Sequence, residues 1–418
     1  MNLSTDQQNA ISTILDWYNA AIREQYITLG GYAGTGKTTV VAELREKLPV
    51  NIRVAYCAYT GKATSVLRNK LLKTKSLYKS DNISTIHSLI YDPIMRGEEI
   101  IGWSRKSVID YDLIIVDESS MVSKEIFEDL LSYGIPIVCI GDHGQLPPVS
   151  ADSFNLMSNP QIKLEVIHRY DNSEESPLLK VSMLARKEGN IPFGYYGGCV
   201  LKVHPDNANI SRFFKMMGNF EDSFCIVGEN KTRISLNRKI RRILNKPEDH
   251  PVQTDRIICL RNNTNASDIP IYNGMIGTIT DKTDRDKCYQ ITCRFDGEND
   301  LYNGFANKEN FNYLCISGGY NLPSDFAYES EIIRWKKQKT AGDYYSVNNN
   351  IIKKKKKVYF DNFDYGYCIT CHKSQGSEMK NVMVIEERNY YMNDDIWSRW
   401  LYTAVTRSRE NLIIISRR

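Results

Sequence analysis

The chain has 418 residues, with 54 lysines and arginines, 50 acidic residues and a formal charge of +4. At roughly 100 to 200 residues per domain, this length predicts two to four compact units and excludes a single small binding module. Hydrophobic residues make up 42% of the chain, which excludes a fibrous or largely disordered protein. The small positive excess permits an anionic partner without requiring one, so function has to be inferred from motifs.

The cysteines and histidines indicate where the protein works. Ten cysteines and six histidines are scattered along the chain, and their spacing predicts neither a zinc site nor a disulfide framework. Free thiols in this number are typical of a reducing compartment. No signal peptide pattern and no run of about 18 apolar residues occurs. We therefore expect a cytoplasmic protein with no membrane partner.

Strands and helices alternate in the first third of the chain. Nearly continuous apolar runs predict buried parallel strands at 26–29, 54–58, 113–116 and 137–140. Helices are expected between them, at 38–48 and 124–131. This is the pattern of an α/β fold with a doubly wound parallel sheet.

A phosphate-binding loop follows the first strand. Residues 31–38, GYAGTGKT, match GxxxxGK[ST] at every fixed position and open a helix. Backbone N–H groups of such a loop surround the phosphates, and Lys37 adds a mobile positive charge. The pattern predicts ATP and Mg²⁺ as cofactors, with the Thr38 hydroxyl on the metal. The predicted nucleotide ligands are Gly34, Thr35, Gly36, Lys37, Thr38 and Thr39.

An acidic pair, Asp117 and Glu118, ends the third of these strands. ATP hydrolysis needs one carboxylate to hold the metal and a second to take a proton from the attacking water. We assign Asp117 to the metal and Glu118 to the base. Acidic residues are also common at strand ends on sheet surfaces, so the assignment depends on the phosphate loop upstream.

Further segments follow in a characteristic order. They are LSTDQQNAI at 3–11, AYTGKAT at 58–64, STIHSLI at 84–90, GDHGQLPPV at 141–149, LEVIHRY at 164–170, FDYGYCITCHKSQGSE at 363–378 and LYTAVTRSRENLII at 401–414. With the phosphate loop and the acidic pair, this order resembles the 5′-to-3′ branch of the superfamily 1 helicases, which contains RecD-like and Dda-type enzymes. The resemblance extends from Gln7 to Ile415 and is weakest in the insertions.

The resemblance implies further residues on the nucleotide side. Gln7 reads the adenine edge, with Gln8 as the alternative register. Gln145 bridges the γ-phosphate region and the nucleic-acid face. Arg169 and Arg407 stabilise the charge that develops on the γ-phosphate, and Gly376 and Glu378 lie nearer the nucleotide.

The resemblance also implies a path for a single strand of DNA. The residues expected to contact it are Thr60, Lys62, Thr85, His87, Asn230, Lys231, Lys373 and Ser374. The chain departs from the family at Tyr59, where proline is usual, and at Cys368, where alanine is often found. A lone histidine such as His87 is more often structural.

The family's domain organisation can be projected onto the chain because a second set of apolar runs occurs at 223–227, 367–370, 382–385 and 412–415. We expect a first RecA-like domain at 1–90 and 111–168, interrupted by a hairpin at 91–110. A second RecA-like domain is expected at 169–262 and 364–418, with a small β-domain inserted at 263–363.

Two features of the insertions allow alternative interpretations. Trp103, in RGEEIIGWSRKS, either stacks on the duplex junction as a wedge or packs the hairpin onto the first domain. The lysine run 353–357 is best interpreted as a solvated loop rather than a nuclear signal or a nucleic-acid contact.

These observations predict an ATP-dependent DNA helicase that translocates 5′ to 3′ on single-stranded DNA and unwinds duplex. The expected partners are single-stranded DNA, duplex junctions and replication or recombination proteins, and the expected state is a monomer. Two alternatives stay open: an ATP-gated single-strand binding or remodelling factor that does not unwind, and an RNA-directed helicase. Phosphate contacts do not distinguish DNA from RNA.

Overall fold

A computed structural model describes residues 3–96, 99–148, 154–168, 176–218, 220–260, 263, 271–285, 288–298, 300–311, 326–328, 357–359 and 361–417. By their contacts, the residues divide into two compact units. The first comprises 1–210, 222–230 and 369–418, and the second comprises 211–221 and 231–368. The finer division into four segments stays a prediction.

The first unit contains a six-stranded parallel sheet in the order β3-β2-β6-β7-β1-β8. Its strands are β1 (Tyr26–Gly31), β2 (Val54–Ala58), β3 (Asn82–Thr85), β6 (Leu113–Asp117), β7 (Ile137–Gly141) and β8 (Ile162–Leu164). The accompanying helices are α1 (Thr5–Asn19), α2 (Lys37–Lys47), α3 (Gly61–Lys73), α4 (Ile86–Ile90) and α5 (Lys124–Leu131). This sheet is the first of the two predicted RecA-like sheets.

Successive residues of these strands enter two different hydrophobic cores. Val54 and Tyr56 of β2 lie in the core that α1 and α2 cover, whereas Ala55 and Cys57 lie in the core on the other face, with α4 and α5. Side chains alternate between the faces of a strand, and here both faces are covered. This explains why the strands read as unbroken apolar runs.

A second six-stranded sheet belongs to the same unit and has the order β19-β11-β20-β21-β10-β9. Its strands are β9 (Gly194–Tyr196), β10 (Val200–Val203), β11 (Ser223–Val227), β19 (Cys368–Thr370), β20 (Met379–Ile385) and β21 (Ser408–Ile415). Strands β11, β20, β21 and β10 pair in parallel, and β9 is antiparallel at the edge. The helices near this sheet in sequence are α6 (Pro177–Glu188), α7 (Asn207–Met216), α9 (Cys371–Ser374) and α10 (Asp394–Val405).

The second unit contains a five-stranded antiparallel sheet in the order β15-β14-β13-β12-β18. It comprises β12 (Arg256–Cys259), β13 (Ile276–Asp284), β14 (Cys288–Phe295), β15 (Leu301–Asn307) and β18 (Phe363–Tyr365). Its other described elements include helix α8 (Asn230–Ile243), a 3₁₀ helix (Lys308–Phe311) and a two-stranded ladder of β16 (Phe326–Tyr328) and β17 (Lys357–Tyr359). The end of α7, from Ser211, also belongs to this unit.

This sheet is wider than the β-domain predicted at 263–363. Strand β12 lies before that range and β18 runs past its end, yet both pair within the antiparallel sheet. The lysines at 353–356 lie outside the described residues.

A β-hairpin of β4 (Tyr91–Arg96) and β5 (Glu99–Arg105) interrupts the first parallel sheet. Its base is fixed because Lys106 N donates to Ile90 O at 2.8 Å, and the Tyr133 hydroxyl donates to the carbonyl oxygens of both residues. The fold class is therefore confirmed: two RecA-like parallel-sheet domains, a hairpin in the first and a small β-domain.

The nine described cysteines are all thiols, and eight of them are buried, with Cys199 partly exposed. Within the described part of the chain, no helix combines the length and apolar character needed to cross a membrane.

Candidate nucleotide and nucleic-acid site

The phosphate loop joins β1 to α2 through two glycines in the left-handed region, Gly34 at φ +86° and Gly36 at φ +79°. The Lys37 ammonium donates to Gly31 O at 2.7 Å and to Tyr32 O at 3.0 Å, so the loop's own carbonyl oxygens hold the charge beside it. This position at the start of α2 suits a phosphate group. The predicted ligands, Gly34 to Thr39, lie in this loop and in the first turn of α2.

Gln7 reaches this loop from α1. Its Nε2 donates to Thr35 O at 3.0 Å, and its Oε1 accepts from Ser4 N at 3.1 Å. A side chain at Gly36 would come within 2.4 Å of Gln7 Nε2, so the glycine is needed for this approach. Gln8 is exposed and its amide donates to Leu3 O. The geometry favours Gln7 over Gln8, and adenine recognition would replace its present backbone partners.

The acidic pair lies at the end of β6, with Glu118 in the left-handed region at φ +53°. A non-glycine residue there is strained, as is common at functional sites. Burial raises the pKa of Asp117 and raises that of Glu118 to about 7; for Glu118 the Asp117 charge adds to the rise, while Arg407 and Lys37 oppose it. Among the described residues, no donor reaches Glu118 Oε2. Such a carboxyl suits a general base near neutral pH.

The predicted metal ligands fit Mg²⁺. Thr38 offers a hydroxyl oxygen and Asp117 a carboxylate, the hard oxygen ligands that Mg²⁺ takes together with water and phosphate. Both already attract a cation: Lys70 Nζ donates to Thr38 Oγ1 at 3.2 Å, and Lys37 and Lys70 oppose the rise in the pKa of Asp117. In the described ranges, no group of three or more His, Cys, Asp or Glu is arranged to hold a metal.

The loop after β7 is held by segments of the second sheet. Leu146 N donates to Thr403 Oγ1 at 3.0 Å, and Leu146 O accepts from Gln375 Nε2 at 3.1 Å. Arg399 of α10 donates to the carbonyl oxygens of His143 and Gln145. The loop carrying Gln145 is thus fixed from the second RecA-like domain.

Gln145 is buried in this loop. Its Nε2 lies 3.3 Å from Asp142 Oδ2, whereas no donor among the described residues reaches its Oε1. Sequence analysis missed Asp142, Arg399, Tyr402 and Thr403 as members of the same site. Their only signal was membership of the strings GDHGQ and WLYTAVTR.

Of the two predicted arginines, Arg407 lies within the described residues. Arg407 is buried and donates through Nε to Thr403 O at 2.9 Å and through Nη2 to Thr406 Oγ1 at 2.9 Å. Its positive charge opposes the rise in the pKa of Glu118, so it acts on the acidic pair electrostatically. Arg169 lies outside the described residues, but the preceding His168 N donates to Gly34 O at 2.8 Å.

On the predicted DNA side, Thr60 caps α3 by accepting from Ala63 N. A side chain at Gly376 would lie 3.8 Å from Thr60 Oγ1 and 3.5 Å from Ala63 Cβ. Gly376, predicted near the nucleotide, therefore adjoins a predicted DNA contact. Lys62 and Lys373 are half-buried, and Glu378 is exposed just before β20.

Three other predicted DNA contacts have structural roles. Buried Thr85 caps α4 by accepting from Ser88 N, and buried Ser374 donates to Cys371 O at 2.7 Å. The imidazole of His87 lies near the rings of Tyr59 and Tyr91, and burial lowers its pKa. A phosphate contact by either hydroxyl requires rearrangement, and His87 would bind as a neutral donor. These assignments stay predictions.

The remaining predicted contacts are exposed. Trp103 is 54% exposed and lies opposite Pro93, close to the base of the hairpin rather than its turn. The ring is open to solvent, which does not support the alternative that it packs the hairpin onto the first domain. Asn230 and Lys231 are exposed at the start of α8.

Comparison with known proteins supports the resemblance to superfamily 1 helicases. The chain matches the AAA domain family over residues 2–190 and the UvrD-like helicase C-terminal domain over residues 365–415. It is 24% identical to RecBCD enzyme subunit RecD of Buchnera aphidicola, over 93% of this chain and 70% of that protein. Over nearly its whole length, the chain is thus similar to helicases of the 5′-to-3′ branch of superfamily 1.

Two further matches show how much of each protein the similarity covers. The chain is 28% identical to protein MJ1519 of Methanocaldococcus jannaschii over 93% of its own residues, but spans only 36% of that protein. The Pif1 helicase from Bacteroides, solved with ADP-AlF3 and single-stranded DNA, is 18% identical with a TM-score of 0.54, and the match covers 99% of this chain and 92% of that one. At this identity, the structural likeness shows the fold alone.

Proposed function

We propose that the protein is an ATP-dependent DNA helicase that moves 5′ to 3′ along single-stranded DNA and separates duplex ahead of it. The observation that carries this proposal is the convergence of two parallel sheets on one phosphate loop. Lys37 and Glu118 come from the first sheet, and Arg407 follows α10 between strands of the second. In a motor, the catalytic groups are divided between two domains, because ATP hydrolysis then depends on how the two domains are arranged.

Each group has a role in this scheme. Lys37 and the loop amides bind the phosphates, and Mg²⁺, when bound by Thr38 and Asp117, neutralises phosphate charge. Glu118 takes the proton of the attacking water, and Arg407 stabilises charge on the γ-phosphoryl oxygens. Gln145 lies in the loop that Gln375 holds through Leu146 O, and in this proposal it links the γ-phosphate to the nucleic-acid side. Arg169 is the second arginine in this proposal.

The decisive experiment uses matched duplexes with a 5′ or a 3′ single-stranded tail, with ATP and Mg²⁺. We expect unwinding of the 5′-tailed substrate only. Unwinding from the 3′ tail would reverse the polarity. DNA-stimulated hydrolysis without strand separation on either substrate would favour the ATP-gated binding factor, and preference for an RNA loading strand would favour an RNA helicase.

The cellular setting is part of the proposal. We propose a monomer that works in the cytoplasm with replication or recombination proteins at duplex junctions. The supporting observation is that the described cysteines are thiols, which is typical of a reducing compartment. Sedimentation with and without a tailed duplex tests the monomer.

Single-strand binding is expected to be sequence-tolerant and to weaken as salt rises. The predicted contacts at Thr60, Lys62 and Lys373 are with the phosphate backbone, which carries no sequence information. The slope of log affinity against log salt should be about −0.7 per neutralised phosphate. Fluorescence anisotropy with two unrelated oligonucleotides measures it. A salt-independent curve, or affinities that differ tenfold between the sequences, would contradict the backbone assignment.

Trp103→Ala is expected to reduce duplex unwinding far more than ATP hydrolysis or movement on a single strand. The exposed ring can stack on a terminal base pair, which is worth about 1 to 3 kcal/mol per base. Unwinding, hydrolysis and translocation should be measured on the same preparation. Trp103→Phe keeps a ring and should retain much of the activity. An equal loss of all three activities would make Trp103 structural.

A further inference from the structure

The hydroxyl of Tyr402 joins three segments of the site. Its oxygen accepts a hydrogen bond from Ala33 N in the phosphate loop at 3.0 Å and donates one to Asp142 Oδ2 at 3.0 Å. The ring belongs to α10, the helix that ends just before Arg407. One side chain of the second RecA-like domain thus contacts both the phosphate loop and the loop after β7.

Close packing fixes this ring. Tyr402 is 1% exposed, and a side chain at Gly144 would come within 2.8 Å of Tyr402 Cε1. The ring of Tyr32 meets it edge-on at 5.8 Å. Burial raises the pKa of Tyr402 well above its usual value, so the hydroxyl keeps its proton and donates to the carboxylate. A change in the position of α10 must therefore move this hydroxyl as well.

Further hydrogen bonds link Tyr402 to the predicted DNA contacts on one side and to Arg407 on the other. Asp142 also accepts from Gly144 N at 2.8 Å and lies 3.3 Å from Gln145 Nε2. The same loop is held by Gln375 through Leu146 O, and the next residue, Gly376, lies beside Thr60. In the other direction, Arg407 Nε donates to Thr403 O, next to Tyr402.

We propose that Tyr402 is a positioning residue that couples nucleic-acid binding to ATP hydrolysis, by holding the Ala33 amide and the Asp142 carboxylate in register with α10. This proposal rests on the proposed helicase function. Tyr402 acts through the phosphate loop, Gln145 and Arg407, and its hydroxyl rather than its ring provides the coupling. Coupling between two sites is an interaction energy, and the experiment below measures it.

The primary test is Tyr402→Phe, which keeps the packed ring and removes the hydroxyl. We expect the ratio of DNA-stimulated to basal ATP turnover to fall about tenfold, as for loss of a hydrogen bond to a charged group. The effect should appear in kcat of the DNA-bound enzyme rather than in KM for ATP. Tyr391→Phe, at a 78% exposed tyrosine in the segment that precedes α10, is the matched control and should keep the wild-type ratio.

A second variant keeps the proposal testable if Tyr402→Phe folds poorly. Asp142→Asn preserves shape and should by itself lower the ratio. Where both single variants fold, the double variant should lower the ratio by much less than the product of the two single effects. An unchanged ratio in Tyr402→Phe, an equal fall of basal and stimulated turnover, or additive single effects would each overturn the proposal. If the wild type itself lacked DNA stimulation and unwinding, the proposed function would fail instead.

Discussion

Glu118→Gln is expected to lower DNA-stimulated ATP turnover by about 10² to 10⁴-fold, the usual contribution of a general base. The amide cannot accept the proton of the attacking water, but it has nearly the shape of the carboxyl group. Because the buried Glu118 carboxylate is disfavoured, as its raised pKa of about 7 shows, a neutral replacement should not weaken the fold. ATP affinity should therefore be retained while hydrolysis is lost.

Lys37→Ala should abolish turnover differently, through loss of phosphate binding. Titration with a fluorescent ATP analogue separates the two cases, since only Lys37→Ala should bind it weakly. Glu125→Gln, at an exposed residue in the first turn of α5, is the matched control and should behave as wild type. If Glu118→Gln kept near wild-type turnover with DNA present, another group would have to be the base.

Arg407→Ala is expected to lower turnover by about 10³-fold or more while leaving ATP affinity largely intact, as for other arginine fingers. Arg407 lies between α10 and β21 of the second sheet, and its charge, like that of Lys37, opposes the rise in the pKa of Glu118. Charge spreads over the γ-phosphoryl oxygens in the transition state, so its removal affects the chemical step more than ground-state binding. Steady-state kinetics and ATP titration measure the two quantities.

Controls distinguish this role from a structural one, because Arg407 also donates to Thr403 O and Thr406 Oγ1. Arg407→Lys keeps a charge but loses the planar fork, and should recover little activity. Arg409→Ala removes a nearby half-exposed arginine that pairs with Asp222, and should be nearly silent. Thermal melting shows whether Arg407→Ala is folded. Normal turnover of a folded Arg407→Ala would refute the finger assignment.

Sequence reasoning was most successful where one local rule determines the structure. Strands β2 and β11 were predicted with their observed ends because both are covered on two faces and read as continuous apolar runs. Strand β3 escaped notice because only alternate residues of Asn82–Thr85 are buried. Strand β9 has three residues, of which the first two are exposed, so it carries no apolar signal.

The residues of the candidate site also differ in how far local sequence patterns predict them. Lys37 was predicted from the spacing within the phosphate loop, and Asp117 and Glu118 were predicted because they are adjacent at a strand end. The contact between Tyr402 and Asp142 joins residues 260 positions apart, and no local pattern indicates such a pairing. Thr85 and Ser374 show a different limit: a motif identifies the residue type, whereas burial decides where the hydroxyl points.

The buried thiols make the protein convenient for single-molecule optics. Thiolate is the form that reacts with maleimide dyes, and burial raises the pKa of Cys57, Cys139 and Cys371, which holds these groups protonated and shielded. Two native cysteines need replacing first: the partly exposed Cys199, and Cys315, which lies outside the described residues. Dyes on cysteines introduced at exposed Lys124 and Arg409 would then follow the approach of the two RecA-like sheets during each ATP cycle.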